Sequence, residues 1–197
     1  MPSNKLQTRE KIILATIDCV GRDGIQSLTI RSISKEAGVN SAAINYYFGT
    51  KEKLVDEAMN QTLDEMSGLT EEILSLENIE LRVRLQKFLE AIIEGIVNYP
   101  GITVAHLYNP LIKNNYKGIF VRRFNAFLQD ILSKIEKDKA KDKEMELKIT
   151  IVQLISSIVL PALMPRIFHS FVNINFKDPK TRRAYVAHLL DHFFNTP

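Results

Sequence analysis

The side chains best placed to make specific polar contacts sit one helical turn apart in a short segment: Ser41 with Asn45, and Ala42 with Tyr46. If residues 41–48 are helical, these two i, i+4 pairs share one face, while Ile44 and Phe48 share the opposite one. The apolar edge can anchor the segment. The other edge sets a large aromatic beside short polar groups, which has no packing rationale and does have one in contacting a DNA duplex. Other residues capable of chemistry form weaker constellations. His188 and His192 bracket Asp191 at a spacing that can grip a metal, yet a metal site takes three or four ligands. A cationic histidine near a helix C-terminus is also favoured by the dipole and needs no ion. No metal and no cofactor is expected. A single cysteine, Cys19, precludes an internal disulfide, fits a reducing compartment and reads as a structural thiol. No nucleophile–base pair, glycine-rich phosphate loop or pair of acids stands out, so the chain is not expected to be an enzyme.

Short helices must position that face. Ile13, Ile17 and Val20 follow a helical stripe, with Thr8 as a candidate N-cap and Gly24 as a terminator. Thr29 is a good N-cap for a second helix with Ile30, Ile33 and Ala37 inside. Gly38 supplies the positive φ of a tight turn, Ala37 the small residue where two helices approach, and Val39 the plug beneath the turn. Ser41 opens the third helix. Gly49-Thr50 punctuates again, and Thr50 with Glu52 and Lys53 opens a fourth through Leu54, Ala58 and Leu63. Residues 1–55 hold eight Lys and Arg against five acids, so the whole formal excess of +3 lies there. A positive excess confined to a small unit is the footprint expected of phosphate-backbone binding.

The remainder reads as longer helices. Residues 79–98 present Leu81, Leu85, Phe88, Leu89, Ile92 and Ile96. Residues 102–113 form a shorter piece interrupted at Pro110, and residues 117–136 carry Phe120, Phe124, Phe127, Ile131 and Ile135. The alternating charges of 137–144 read as a solvated helix end plus loop. Residues 145–168 and 179–195 are predicted as two further helices, the first apolar nearly all round. Such helices need cover on both sides, and a second copy is the simplest cover, which predicts a homodimer. The interface candidates are Ile155, Val159, Leu163, Tyr185, Leu189 and Phe193. The charge-free run 149–165 is at the short limit for ~30 Å of hydrocarbon and holds polar residues and two prolines, so no membrane span is expected. With a polar N-terminus lacking an apolar signal core, a cytoplasmic location follows. A small-molecule pocket would be mainly apolar with a few polar groups. Phe88, Ile92, Phe120, Phe124, Phe127 and Met164 are candidates, with His106 and Tyr108 as polar fixtures; the phenylalanines read equally well as ordinary core.

Residues 9–58 resemble the DNA-binding domain of the tetracycline-repressor (TetR) family. Ile13-Leu14-Ala15, Gly24, Thr29, Ile33, Ala37-Gly38-Val39, Phe48, Lys51 and Leu54 carry the likeness. Ser34 stands where alanine is usual, and Asn45 where many members place tyrosine. The resemblance implies an all-α protein with an N-terminal three-helix helix-turn-helix DNA-binding domain (1–55) and a C-terminal helical ligand-binding and dimerisation domain (56–197). It implies backbone contacts from Thr29 and Arg31, a major-groove face of Asn40, Ser41, Ala42 and Asn45, and backbone-contacting aromatics at Tyr46 and Tyr47. Lys51, beside a helix N-terminus, would bind phosphate through charge and dipole together. Asn45 could pair bidentately with adenine, and the Ala42 methyl could meet that of thymine. The implied partners are a near-palindromic double-stranded DNA operator, a second copy of the chain and an unknown small-molecule effector that releases a repressor. A ligand-independent architectural DNA-binding protein is the alternative, and a helical enzyme or carrier a third reading.

Overall fold

The computed structural model describes residues 2–136 and 144–194, and among them it contains helices and no strand. The chain divides into two compact units, Met1–Glu65 with Tyr99–Gly118, and Met66–Asn98 with Ile119–Pro197. Residues 137–143 of the charge run, and residue 195 of the predicted last helix, lie outside the described residues.

The first unit holds α1 (Pro2–Asp23), a 3₁₀ turn (Ile25–Ser27), α2 (Ile30–Ala37), α3 (Ser41–Phe48), the first part of α4 (Lys51–Leu74) and α6 (Pro100–Ile112). Its core joins Ile12, Val20, Leu28, Ile33, Ala37, Ile44, Phe48, Leu54 and Ala58. α1 begins before the expected Thr8 cap. Sequence reasoning assigned residues 99–118 to the C-terminal part, but α6 packs on α1 and contributes Ala105 to this core. The reason is Gly101. A Cβ there would lie 2.2 Å from the Val20 carbonyl oxygen and 2.7 Å from that of Gly21, so only glycine allows the approach. Pro100 occupies the first helical turn, where its missing N–H costs nothing, and the helix continues through Pro110.

The second unit holds the rest of α4, with α5 (Leu81–Asn98), α7 (Ile119–Glu136), α8 (Glu144–Leu163), α9 (Pro165–Val172) and α10 (Pro179–Phe194). The predicted single helix 145–168 is two. Pro165 disfavours helical backbone at the residue before it, and the chain breaks at Met164. α10 is capped by Asp178, whose carboxylate accepts from the Thr181 hydroxyl (2.9 Å) and the Lys180 N–H (3.1 Å). Those bonds, the Thr181 hydroxyl first, hold the acid below its ordinary range. Arg84 is buried and donates from Nη1 to the carbonyl of Leu74, the last residue of α4, at 2.7 Å. Lys134 adds ion pairs to Glu71 (3.0 Å) and Asp130 (2.6 Å). By length and composition alone α8 could cross a membrane; here its Leu147, Ile151, Leu154 and Ile158 belong to the second core.

The approach of α6 to α1 yields a prediction. Gly101→Ala should destabilise the protein by about 1–3 kcal/mol, the usual cost of overpacking, because the new methyl meets backbone that cannot swing away. Urea unfolding of the two proteins checks it; an unchanged midpoint would mean that α6 does not sit this close.

Candidate nucleic-acid interface

The turn between α2 and α3 is fixed by backbone geometry. Gly38 has φ 62° and ψ 35°, its N–H bonds to the Lys35 carbonyl, and the Val39 N–H bonds to that of Ser34. These bonds satisfy carbonyls that the end of α2 would otherwise leave bare. Thr29 and Ser32 close α2 reciprocally. The Ser32 N–H donates to Thr29 Oγ1 (3.0 Å), and the Thr29 N–H donates to Ser32 Oγ (3.1 Å). At α3, Asn40 Oδ1 accepts from the Ala43 N–H at 2.8 Å.

α3 is two-sided, as its spacing predicts. Ile44 and Phe48 retain 1% and 5% of their accessible surface, whereas Tyr46 retains 68%. Ser41, Ala42 and Asn45 are exposed beside it. Tyr47 is half-buried against the core, and the Tyr46 ring meets it edge-on at 5.1 Å. Arg9 on α1 pairs with Glu57 on α4 and stacks its guanidinium 5.1 Å over the Phe48 ring. Two helices, α1 and α4, thereby converge on the buried end of α3.

The predicted DNA-contact residues divide by role. Arg31, Ala42, Asn45 and Tyr46 lie exposed on α2 and α3. Thr29 and Asn40 are exposed but spend side-chain oxygens as helix caps, which leaves the Asn40 amide nitrogen to donate outward. Lys51 is half-buried, and its Nζ donates to the Leu28 carbonyl at 3.1 Å. That bond ties the start of α4 to the chain entering α2. Ser41 Oγ lies 3.2 Å from Ser34 Oγ. Sequence reasoning missed Arg9 and the second role of Lys51, because both act through partners remote in sequence. Ser34 did carry a signal: a serine at an inward position of an amphipathic helix.

The candidate pocket residues do not form one set. His106 and Tyr108 are on α6 in the first unit. The Thr62 hydroxyl lies 2.9 Å from the Met59 carbonyl and 2.8 Å from His106 Nε2, which ties α6 to α4. The other candidates lie in the second unit. Phe88 and Phe127 are core, and the rings of Phe120, Phe124, Phe127 and Phe88 follow one another at centroid distances of 5.6, 5.9 and 5.9 Å. Ile92 is half-buried on that core, and Met164 is exposed at the break after α8. A depression of about 320 Å³ in this unit is lined by others, among them Glu71, Arg84, Ser133 and Lys134.

The predicted dimer residues lie against their own chain's core to different depths. Ile155 is buried within its own chain, and Val159, Leu163, Tyr185, Leu189 and Phe193 are half-buried on the same core. Tyr185 donates its hydroxyl to the Ser157 carbonyl at 2.8 Å. α8 instead exposes Ile149, Val152 and Leu160. The spacing reveals that α8 is apolar on two sides but not which side its own chain covers. Of the histidine pair, His188 and His192 are exposed, and Asp191 between them pairs with Arg82. Cys19 is buried, which pushes its thiol above the ordinary range.

Comparison with known proteins bears on this geometry. Residues 12–58 match the family described as bacterial regulatory proteins, tetR family. A stretch of 67 residues is 39% identical to the HTH-type transcriptional regulator BetI of Vibrio campbellii, covering 34% of each chain. The chain thus spans about a third of the length of such curated relatives. An HTH-type transcriptional regulator of Bacillus subtilis, YttP, is 23% identical over 92% of this chain and 89% of its own. Among solved structures, one described as a tetR-family transcriptional regulator, from Mesorhizobium loti, superposes with a TM-score of 0.71. It is 15% identical and covers 97% of this chain and 96% of its own, a likeness of fold.

The position of Lys51 yields a prediction with two readouts. Lys51→Ala should lower stability by about 1 kcal/mol through loss of the bond to Leu28. It should also flatten the salt dependence of DNA binding by about one unit in log–log slope, whatever the DNA sequence. Thermal unfolding and binding titrations across salt concentrations check both; an unchanged slope would leave Lys51 with the structural role alone.

Proposed function

We propose that this chain, of which residues 12–58 match the tetR family of bacterial regulatory proteins, is a sequence-specific, DNA-binding transcriptional regulator. The observation that carries this reading is the two-sidedness of α3, with Ile44 and Phe48 buried and Ala42, Asn45 and Tyr46 outward. A helix held on one edge can lay the other in a major groove. Asn45 offers the amide that pairs bidentately with adenine, and the Ala42 methyl can meet that of thymine. Thr29, Arg31 and Lys51 approach the phosphates around it, the amide nitrogen of Asn40 and the Ser41 hydroxyl join Asn45 on the groove face, and Tyr46 and Tyr47 flank the backbone.

The regulator works in the cytoplasm as a homodimer on a near-palindromic operator. Two equivalent α3 helices then read half-sites one helical turn, or a multiple of it, apart. The C-terminal helices sense a small-molecule effector that releases the repressor from DNA. Release requires the effector to prefer the conformation that cannot engage DNA, since equal affinity for both would switch nothing. The exposed apolar residues of α8, Ile149, Val152 and Leu160, support a second copy as their cover.

Retention of genomic fragments by the purified protein, followed by sequencing, tests the reading. It should yield a small set of sites sharing an inverted repeat. Retention without sequence preference would favour an architectural binder, and no salt-dependent retention would end the DNA-binding reading. Within a recovered site, Asn45→Ala should cost about 1–3 kcal/mol and leave binding to scrambled DNA nearly unchanged. Equal losses on both duplexes would remove Asn45 from the base-reading set.

A further inference from the structure

Ser34 is the inward-facing serine of α2, buried beside the first turn of α3. Its Oγ lies 3.2 Å from Ser41 Oγ, and either oxygen could be the donor on distance alone. Burial decides between them. A helical hydroxyl commonly donates to the carbonyl one turn back, as Thr16 does to Ile12 at 2.8 Å. Ser34 makes no such bond among the described residues, and Ser41 is the polar partner of its side chain. If Ser41 were the donor, the enclosed Ser34 proton would be left without an acceptor, which is costly for a buried group. Ser41 is exposed, so its own proton reaches solvent or a bound molecule freely. The favoured arrangement is therefore Ser34 donating to Ser41.

We propose that Ser34 is a positioning residue for DNA recognition, which by donating to Ser41 Oγ sets Ser41 outward as a directed hydrogen-bond donor to an acceptor on DNA. This rests on the DNA-binding reading and adds to it a polarity that Ser41 alone would not have. A lone serine hydroxyl rotates and serves as donor or acceptor equally. With one of its two lone pairs occupied from behind and its proton kept off Ser34, Ser41 is biased toward acceptors: a phosphate oxygen, or a base-edge acceptor such as purine N7, guanine O6 or thymine O4.

The test is a double-mutant cycle in the full-length protein, with Ser34→Ala, Ser41→Ala and both together. The probes are a duplex selected from a randomised pool by the unmodified protein and a scrambled duplex of equal length. Ser41→Ala should weaken binding roughly three- to tenfold, the range of one neutral hydrogen bond. Ser34→Ala should weaken it measurably in the unmodified background and leave it unchanged once Ser41 is alanine. Its thermal midpoint should change little, since the bond lost is offset by the buried hydroxyl removed and the exposed Ser41 oxygen regains water. Loss confined to the selected duplex assigns a base acceptor, and equal loss on both duplexes a phosphate; either supports the positioning role. If Ser34→Ala has the same effect in both backgrounds, or none, the proposal is overturned while the DNA-binding reading stands. If the unmodified protein selects no duplex, that reading fails and takes this one with it.

Discussion

The burial of Ile44 and Phe48, one turn apart on α3, is the interaction on which the rest depends. Each contributes about 1.5–3 kcal/mol on burial, and together they fix the rotation of an eight-residue helix about its axis. An isolated helix of that length would not persist in water. Packing, not propensity, therefore decides which side of α3 faces out. The guanidinium of Arg9 over Phe48 and the Leu54 side chain at the start of α4 close the same pocket from other helices.

Around that anchor, polar groups are divided between holding the domain together and presenting a surface. Thr29 and Asn40 terminate helices with their side-chain oxygens, and Lys51 reaches back to the Leu28 carbonyl. Arg31, Asn45 and Tyr46 are left at the surface. This economy suits a small domain. Each cap contributes about 1 kcal/mol to a net stability of about 5–15 kcal/mol, so the loss of either is felt by the whole domain.

The first unit was largely legible in the sequence because its signals are local. Thr29, Gly38 and Gly49-Thr50 mark helix ends within a few residues, and the i, i+4 pairing of Ile44 with Phe48 names the buried edge of α3. What escaped depends on contacts between residues remote in sequence. The packing of α6 on α1 through Gly101, and the Lys51–Leu28 bond, leave no local trace. In the second unit periodicity located most of the helices, though it ran α8 and α9 together across Met164, and it did not give their orientation. α8 is apolar on two sides, and only the positions of its neighbours reveal that Ile155 turns inward while Val152 stays out. For the same reason the aromatic set from Phe88 to Phe127 could be read as pocket or core, and the structure packs both of those rings into the core.

The outward edge of α3 can be interrogated directly by alkylation. Cys19, the sole native cysteine, is 1% exposed and provides a slow background. In an Ala42→Cys variant the new thiol should react rapidly in the free protein and be strongly protected by a sequence the protein has selected. An Ile44→Cys thiol should be slow throughout. Rapid, unprotected reaction at position 42 while that DNA is bound would contradict the account, because the duplex would then be held by some other surface.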